Sequence, residues 1–436
     1  MFERPELGER CAIIHVNFKY KNKNNYEYDT TDLNEFKSLV NSTDADICDI
    51  IIANLNQPSP KFLLGSGKID EIDLSIKANN IQLLLFNHTL TPSQQRNIEQ
   101  TLKCRVLDRT GLILDIFAQR AQTFEGKLQV ELAQLDYLST RLVRGWTHLE
   151  RQKGGIGLRG PGEKQLELDK RMLNMRLKSI KKSLQNVSSR RKLSRVSRKK
   201  SETPTVSLVG YTNAGKSTLF NTLTNENIYA ANQLFATLDP TLRKIDISNF
   251  GSIILADTVG FIQKLPHQLV EAFKATLEET EQADLILHVI DYSDPNLDSH
   301  IESVNEVLNN LNTENIPKLL IYNQIDKTSN NTPRIDLDET KKPYRVWLSA
   351  KEKKGLDLLC DAISILLRPN SISGILSIPI NFEQYSALRA ELYKNKCVIS
   401  EQDSTETHIN LNIIISIARL NQINKKYNIS LKKWLL

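Results

Sequence analysis

Residues 206–218 read Val206-Ser207-Leu208-Val209-Gly210-Tyr211-Thr212-Asn213-Ala214-Gly215-Lys216-Ser217-Thr218, and this stretch decides the fold around it. An apolar strand pattern leads into G-x-x-x-x-G-K-S, and a helical pattern follows. In such a loop the backbone N–H groups point at the α- and β-phosphates, Lys216 reaches the β/γ oxygens, and Ser217 offers its hydroxyl to Mg²⁺. The alternative is a chance match in a tight turn, which the flanking strand and helix argue against. We therefore predict a phosphate loop over Gly210 to Thr218, supported by a helix N-terminus.

Three further motifs, each at the end of a predicted strand, together indicate whether the site binds adenine or guanine. Asp257-Thr258-Val259-Gly260 offers a carboxylate to Mg²⁺ through water and a Gly260 N–H to the γ-phosphate. Asn323-Gln324-Ile325-Asp326 offers a carboxylate that accepts two hydrogen bonds from guanine, a pair that adenine does not donate. Ser349-Ala350-Lys351 can direct a backbone N–H at the guanine O6. Because nucleotides bind at the carboxyl ends of strands in open α/β sheets, this order predicts a GTP site.

The segment 233–241 lies between the first two motifs, where a mobile switch loop belongs. We expect its contacts to the nucleotide to come from Phe235, Ala236, Thr237, Leu238 and Asp239. Thr237 is the predicted second Mg²⁺ ligand beside Ser217, and Thr241 is the less favoured candidate. The predicted catalytic groups are Lys216, Thr237 and Gly260.

Three positions modify this prediction. Small GTPases commonly place a water-orienting glutamine after the glycine of the second motif, and here Phe261 stands there, which predicts slow hydrolysis without help. Gln324 replaces the usual lysine of the third motif, so we expect guanine specificity with weaker affinity. Asn213 suggests that K⁺ is seated near the β/γ-phosphates.

Charge is concentrated in one segment. The chain has a net charge of +6, but residues 141–200 carry 19 Lys and Arg against 4 Asp and Glu, a balance of +15. Within it, residues 154–163 hold five of the 17 glycines. Leucine-rich runs with helical spacing lie on both sides, which predicts an antiparallel helical hairpin with the glycine-rich loop at its tip. We expect RNA contact there through Lys153, Arg159 and Lys164.

Two alternatives to this hairpin stay open. A charge run is usually a solvated helix face, although +15 exceeds what solubility needs. The leucine seam at residues 173–187 can also dimerise, but its shortness favours pairing within one chain and therefore a monomer. The basic, serine-punctuated segment 190–200 is expected to be a mobile linker.

The whole chain of 436 residues divides into four predicted parts. Residues 1–125 form an α/β domain, 126–200 the hairpin and linker, 201–370 the P-loop GTPase domain, and 371–436 a small α+β domain. No apolar run is long enough to span a bilayer, and five scattered cysteines fit a reducing compartment. We therefore expect a cytoplasmic protein without a zinc site.

Several of these segments together closely resemble the HflX family of GTPases. The most specific is Gly154-Gly155-Ile156-Gly157-Leu158-Arg159-Gly160-Pro161-Gly162-Glu163, and 108–111, 235–241 and 257–267 are similarly typical. The resemblance implies a Mg²⁺-dependent cytoplasmic GTPase that binds the large ribosomal subunit and its rRNA and splits stalled ribosomes under stress. The residues alone leave other classes open: a GTP-controlled RNA-binding scaffold or ribosome-assembly switch with incidental hydrolysis, or, more weakly, an ATP-driven RNA remodeller. Gly65-Ser66-Gly67-Lys68 is too short to serve the last as a phosphate loop.

Overall fold

The structure is a computed structural model. It describes residues 8–18, 30–43, 45–145, 161–200, 203–224, 235, 241–247, 250–262, 274–329, 332–367, 371–394, 397–401 and 407–435. Within these ranges the α/β class is confirmed, with three sheets along the chain.

The N-terminal region is a parallel sheet with helices on both faces. Its strands are β1 (Arg10–Phe18), β2 (Asp46–Leu55), β3 (Leu83–Phe86) and β4 (Arg105–Asp108), and its helices are α1 (Thr30–Asn41), α2 (Ser66–Asn79), α3 (Pro92–Leu102) and α4 (Arg109–Arg120). The strand order is β2-β1-β3-β4, and each neighbouring pair is parallel. The apolar runs predicted these strands because a parallel sheet buries both of its faces. Their carboxyl ends therefore meet at one edge of the sheet.

Two long helices follow, α5 (Phe124–Gly145) and α6 (Pro161–Lys200), and they pack against each other. Arg176 of α6 pairs with Glu131 of α5 at 2.6 Å, and Ile180 of the predicted seam is buried. With 40 residues, α6 is about 60 Å long. The expected linker at 190–200 is wrong, because these residues continue the helix. No proline or glycine interrupts them, and lysine and arginine are good helix formers.

The third region is the seven-stranded sheet that carries the phosphate loop. Its elements are β5 (Thr205–Gly210), α7 (Lys216–Thr224), β6 (Thr241–Ile247), β7 (Gly251–Asp257), α8 (Lys274–Glu281), β8 (Leu285–Asp291), α9 (Leu297–Asn310), β9 (Lys318–Asn323), β10 (Arg334–Leu337), β11 (Pro343–Trp347) and α10 (Leu356–Leu366). The order is β10-β11-β9-β8-β5-β7-β6, so β5 lies inside the sheet. Only the two edge strands, β6 and β10, are antiparallel to their neighbours. The loops after β5, β7 and β9 therefore meet at one edge.

The C-terminal region is a small antiparallel sheet covered by helices. It consists of β12 (Ser371–Pro379), α11 (Tyr385–Lys394), β13 (Val398–Glu401), β14 (His408–Ser416) and α12 (Ile417–Tyr427). The order β12-β14-β13 and a separate apolar core fit the predicted α+β appendage. Across the part of the chain that the structure describes, no helix is both long enough and apolar enough to cross a membrane.

His288 of β8 gives this fold a dependence on pH. Its side chain is 1% exposed, and its Nδ1 has no hydrogen-bond partner among the described residues. Burial lowers the pKa of His288 to about 4, and nearby Lys318 and Lys216 act in the same direction. The unfolded chain, with an ordinary histidine pKa of about 6.5, then binds more protons between pH 6.5 and 4. Acidification across that window destabilises the folded state.

We predict that His288→Leu makes stability less sensitive to acid. Lowering the pH from 7 to 4.5 should cost wild type about 2–3 kcal/mol more than the variant, because the variant has no imidazole to protonate on unfolding. Thermal unfolding of both proteins at both pH values measures this difference, and any effect of leucine packing cancels between the two pH values. Parallel losses in the two proteins would contradict the prediction.

Candidate nucleotide-binding site

The phosphate loop adopts a backbone that only glycine accommodates at two positions. Gly210 has φ 151° and Gly215 has φ 90°. A Cβ at Gly210 would overlap the Val289 carbonyl oxygen, and one at Gly215 would overlap the Asn323 amide. The two glycines of the motif are therefore required by backbone conformation and by close approach of neighbouring strands.

Lys216 lies inside the loop that it serves. Its ammonium donates to the carbonyl oxygens of Gly210 at 3.0 Å and Tyr211 at 2.6 Å. Burial lowers the pKa of Lys216 to about 8, while the Asp257 carboxylate opposes that shift. An anion bound in the loop would favour the charged ammonium and raise this pKa again. The position is that of a lysine prepared to bind phosphate.

The predicted Mg²⁺ ligand Ser217 lies beside Asp257, which is predicted to hold the ion through water. The Ser217 hydroxyl donates to Oδ2 of Asp257 at 3.2 Å, and Asp257 is 2% exposed at the end of β7. Thr258 beside it donates to the Leu208 carbonyl at 2.6 Å, which fixes the turn out of the sheet. One hydroxyl and one carboxylate suit Mg²⁺, which usually takes only a few protein oxygens and completes its shell with phosphates and water.

The guanine-binding motifs are linked to each other by side-chain hydrogen bonds. The Asn323 amide donates to the Ala214 carbonyl at 2.9 Å, and its oxygen accepts from the Ala350 N–H at 3.0 Å. The Ser349 hydroxyl donates to the Asp326 carboxylate. Asn323 therefore joins the phosphate loop to the third and fourth motifs, while Ser349 orients the carboxylate that would read guanine. Ile325 is buried beneath, and Lys351 is exposed.

Gln324 takes over part of the role of the lysine that it replaces. Its backbone is left-handed, with φ 64°, and its Nε2 donates to the Asn213 carbonyl at 3.0 Å. The side chain thus spans from the third motif to the phosphate loop, but through a neutral amide. Hydrogen bonds from a charged donor are stronger than those from a neutral one.

The segment after Asp257 returns to the phosphate loop as backbone. The Phe261 N–H donates to the Gly210 carbonyl at 3.1 Å, and the Phe261 carbonyl accepts from the Thr212 N–H at 2.8 Å. A Cβ on Gly260 would lie 2.8 Å from Thr212 Cγ2, so glycine is required there too. The Phe261 side chain is buried in an apolar cluster that includes Tyr211 and Leu277.

Part of the predicted switch loop lies outside the described residues, namely Ala236, Thr237, Leu238 and Asp239. Phe235 is described, and its ring packs edge-on against Phe117 of α4 with the centroids 4.6 Å apart. Phe235, Val259 and Ile262 are all part of the N-terminal apolar core. Sequence patterns did not predict this contact. The available signal was a large aromatic side chain in a loop segment.

A polar contact between the two α/β regions was also missed. The Tyr211 hydroxyl donates to Glu35 of α1, and Arg109 binds the other oxygen of the same carboxylate. The Tyr211 ring stacks on His300 with the centroids 3.8 Å apart. Tyr211 was predicted only as a phosphate-loop residue, and a tyrosine at a variable loop position gave no sign of its partners.

The comparisons with known proteins agree with this geometry. Three family descriptions match the chain in order: "GTP-binding GTPase N-terminal" at residues 30–118, "GTP-binding GTPase Middle Region" at 120–198, and "50S ribosome-binding GTPase" at 205–324. GTPase HflX from Escherichia coli (strain K12) is 50% identical over 426 residues, 98% of this chain and 98% of the relative. The chain belongs to the HflX family of GTPases. The resemblance proposed from the sequence motifs is confirmed.

Other HflX relatives match over shorter lengths. GTPase HflX from Magnetococcus marinus is 53% identical over 277 residues, which cover 63% of this chain and 64% of the relative. Among solved structures, the complex of the GTP-binding protein SsGBP with GDP is 27% identical, with a TM-score of 0.46, covering 81% of this chain and 97% of that chain.

We predict that Gln324→Lys slows dissociation of GDP about two- to tenfold. A lysine can donate to the Asn213 carbonyl with a full charge, a gain of about 0.5–1.5 kcal/mol. Stopped-flow release of a fluorescent GDP analogue gives the rate. Gln324→Met is the matched control, since it keeps an unbranched side chain without the donor and should release the analogue faster than wild type. If dissociation from the lysine variant is unchanged, this account of Gln324 is wrong.

Proposed function

We propose that this HflX-family GTPase binds the large ribosomal subunit, is slow alone, and uses subunit-stimulated GTP hydrolysis to split or rescue stalled ribosomes under stress. The observation that carries this proposal is that one chain combines a phosphate loop, hydrogen-bonded to the guanine-binding motifs, with a long basic helix. The match of residues 205–324 to "50S ribosome-binding GTPase" supports the choice of partner. A GTP-controlled RNA-binding scaffold or ribosome-assembly switch is the second candidate, favoured by the buried Phe261 side chain, which has no group that could orient an attacking water.

The helix α6 offers the surface that would bind RNA. Lys178, Lys181 and Lys182 are all exposed and lie at helical spacings of three and four, so they share one face. Phosphate contacts supply most of the sequence-independent affinity of proteins for nucleic acids. The predicted tip contacts, Lys153 and Arg159, lie outside the described residues, and the side chain of Lys164 is likewise not described.

The metal expected in this family is Mg²⁺, and the oxygen donors of Ser217 and Asp257 fit it. When bound, Mg²⁺ neutralises charge on the β- and γ-phosphates. Lys216 would bind the same phosphates, and the Gly260 N–H would donate to the γ-phosphate. Thr237 stays the predicted second ligand.

We predict that purified large ribosomal subunits stimulate steady-state GTP hydrolysis at fixed Mg²⁺. Turnover alone should be slow because Phe261 cannot orient water, and a partner that supplies the missing group can add roughly 10³–10⁵ in rate. We expect at least about tenfold stimulation, a threshold set below that range for a partner that supplies only part of the missing help. No stimulation, with nucleotide binding intact, would favour the scaffold.

Charge variants test whether α6 contributes to that stimulation. Lys181→Ala combined with Lys182→Ala should raise the subunit concentration needed for half-maximal stimulation. It should also reduce the magnitude of the slope of log affinity against log salt concentration by about 1–2, because each lost phosphate contact lowers that slope by slightly less than one. Lys244→Ala combined with Lys342→Ala removes two exposed lysines elsewhere and serves as the matched control.

We also propose that K⁺ accelerates the reaction through Asn213. This residue is exposed on the phosphate loop in a left-handed conformation with φ 60°. Hydrolysis should be faster in K⁺ than in Na⁺ at equal ionic strength, and Asn213→Ala should remove the difference. Equal turnover of wild type in the two salts would exclude a K⁺ site.

A further inference from the structure

Tyr211 is held from three directions. Its hydroxyl donates to Glu35, its ring stacks on His300, and its backbone neighbours Gly210 and Thr212 are both hydrogen-bonded to Phe261. Its own carbonyl accepts from the Lys216 ammonium at 2.6 Å. A γ-phosphate would compete for that ammonium and would contact Gly260, next to Phe261. Tyr211 therefore connects the lysine that would bind the γ-phosphate to Glu35 of the N-terminal region.

Glu35, which binds Tyr211, is also part of a buried ion network. Arg109 binds Glu35 through one nitrogen, and through another it binds Asp32 at 2.9 Å and the Asn87 side-chain oxygen at 2.6 Å. Arg109 is 3% exposed and Asp32 is 2% exposed. Removing one member of such a buried pair leaves an uncompensated charge, so the network has a strongly preferred arrangement.

Asp108, the residue before Arg109, binds two side chains of helix α5, which precedes α6 in the chain. Asp108 is fully buried, and its carboxylate accepts from the Tyr137 hydroxyl at 2.7 Å and from Arg141 at 2.8 Å. Both donors lie on α5, which packs against α6. The guanidinium of Arg141 also lies over the Tyr137 ring, 3.5 Å from its centroid. Asp108, the last residue of β4, thus contacts α5, and Arg109, the first residue of α4, contacts Glu35, which binds Tyr211 of the phosphate loop.

We propose that Glu35 and Arg109 are positioning residues that couple the conformation of the phosphate loop at Tyr211 to helix α5 through Asp108. The motif at 108–111, typical of the family by sequence, then has a physical role: it joins two ion networks at one strand end. The coupling itself requires only that the chain binds GDP and GTP, not that it hydrolyses GTP. Its consequence for partner binding rests on the proposed function.

Hydrogen exchange of the full-length protein tests the coupling without any ribosome. Exchange of α5 amides is compared between the GDP complex and the complex with a non-hydrolysable GTP analogue. Wild type should show a nucleotide-dependent difference in α5. Glu35→Gln should reduce that difference at least threefold, because the neutral amide has one acceptor oxygen where the carboxylate offers one to Arg109 and another to Tyr211, and its NH₂ group cannot accept from either.

A second variant and a control separate coupling from general damage. Tyr211→Phe removes only the hydroxyl and should reduce the same difference, and the double variant should reduce it no further, as expected for one shared interaction. Glu9→Gln is the matched control: Glu9 is a buried carboxylate paired with Arg105 at 2.8 Å, adjacent to the first residue of β1 and away from the nucleotide. It should retain the wild-type difference.

Two results would overturn the proposal: no nucleotide-dependent difference in α5 of wild type, or a difference that survives both Glu35→Gln and Tyr211→Phe. A structural role alone would change exchange equally in both nucleotide states, so the difference between states reports positioning. The hydrogen-exchange experiment contains no ribosomes. If large subunits fail to stimulate hydrolysis in the earlier assay, the proposed function is rejected, but the coupling is still decided by the exchange result alone.

Discussion

The phosphate loop after β5 is fixed by hydrogen bonds on both sides, and the rest of the molecule is arranged around that constraint. On one side Phe261 bonds to the backbone of Gly210 and Thr212, and on the other Asn323 bonds to the Ala214 carbonyl. These bonds bring the carboxyl ends of β7 and β9 onto the loop. Since the loop has no freedom to move alone, a change in its phosphate contacts has to move its neighbours as well.

The N-terminal region meets this constrained loop with a mixed interface. Its apolar core takes in Phe235, Val259 and Ile262, while its ion network reaches Tyr211 through Glu35. The free energy of apolar burial does not depend on the orientation of the packed groups, whereas a hydrogen bond to a carboxylate requires a particular distance and angle. The apolar part therefore stabilises the association of the two regions, and the Glu35 contact specifies their relative position.

Local patterns predicted the elements that depend on sequence neighbours, and failed where the partner is distant. The four nucleotide motifs were predictable because each combines a strand end with side chains of fixed chemistry, and the structure places them together. The antiparallel edges β6 and β10 and the contacts of Tyr211 depend on tertiary packing, which periodicity does not report. Residues 190–200 are helical although their serines favour a linker, because serine among arginine and lysine leaves a helix intact.

Phe261 shows how the fold limits the chemistry. Its side chain is 4% exposed within an apolar cluster that contains Tyr211 and Leu277, and its backbone bridges to Tyr211. A glutamine in the same position would bury an amide in that cluster at a cost of about 1–3 kcal/mol. Restoring the residue type common in small GTPases would thus weaken the packing behind the phosphate loop without supplying a water-orienting group. A chain built this way has to obtain that group from another part of itself or from a partner, which is the physical reason to expect hydrolysis that depends on binding.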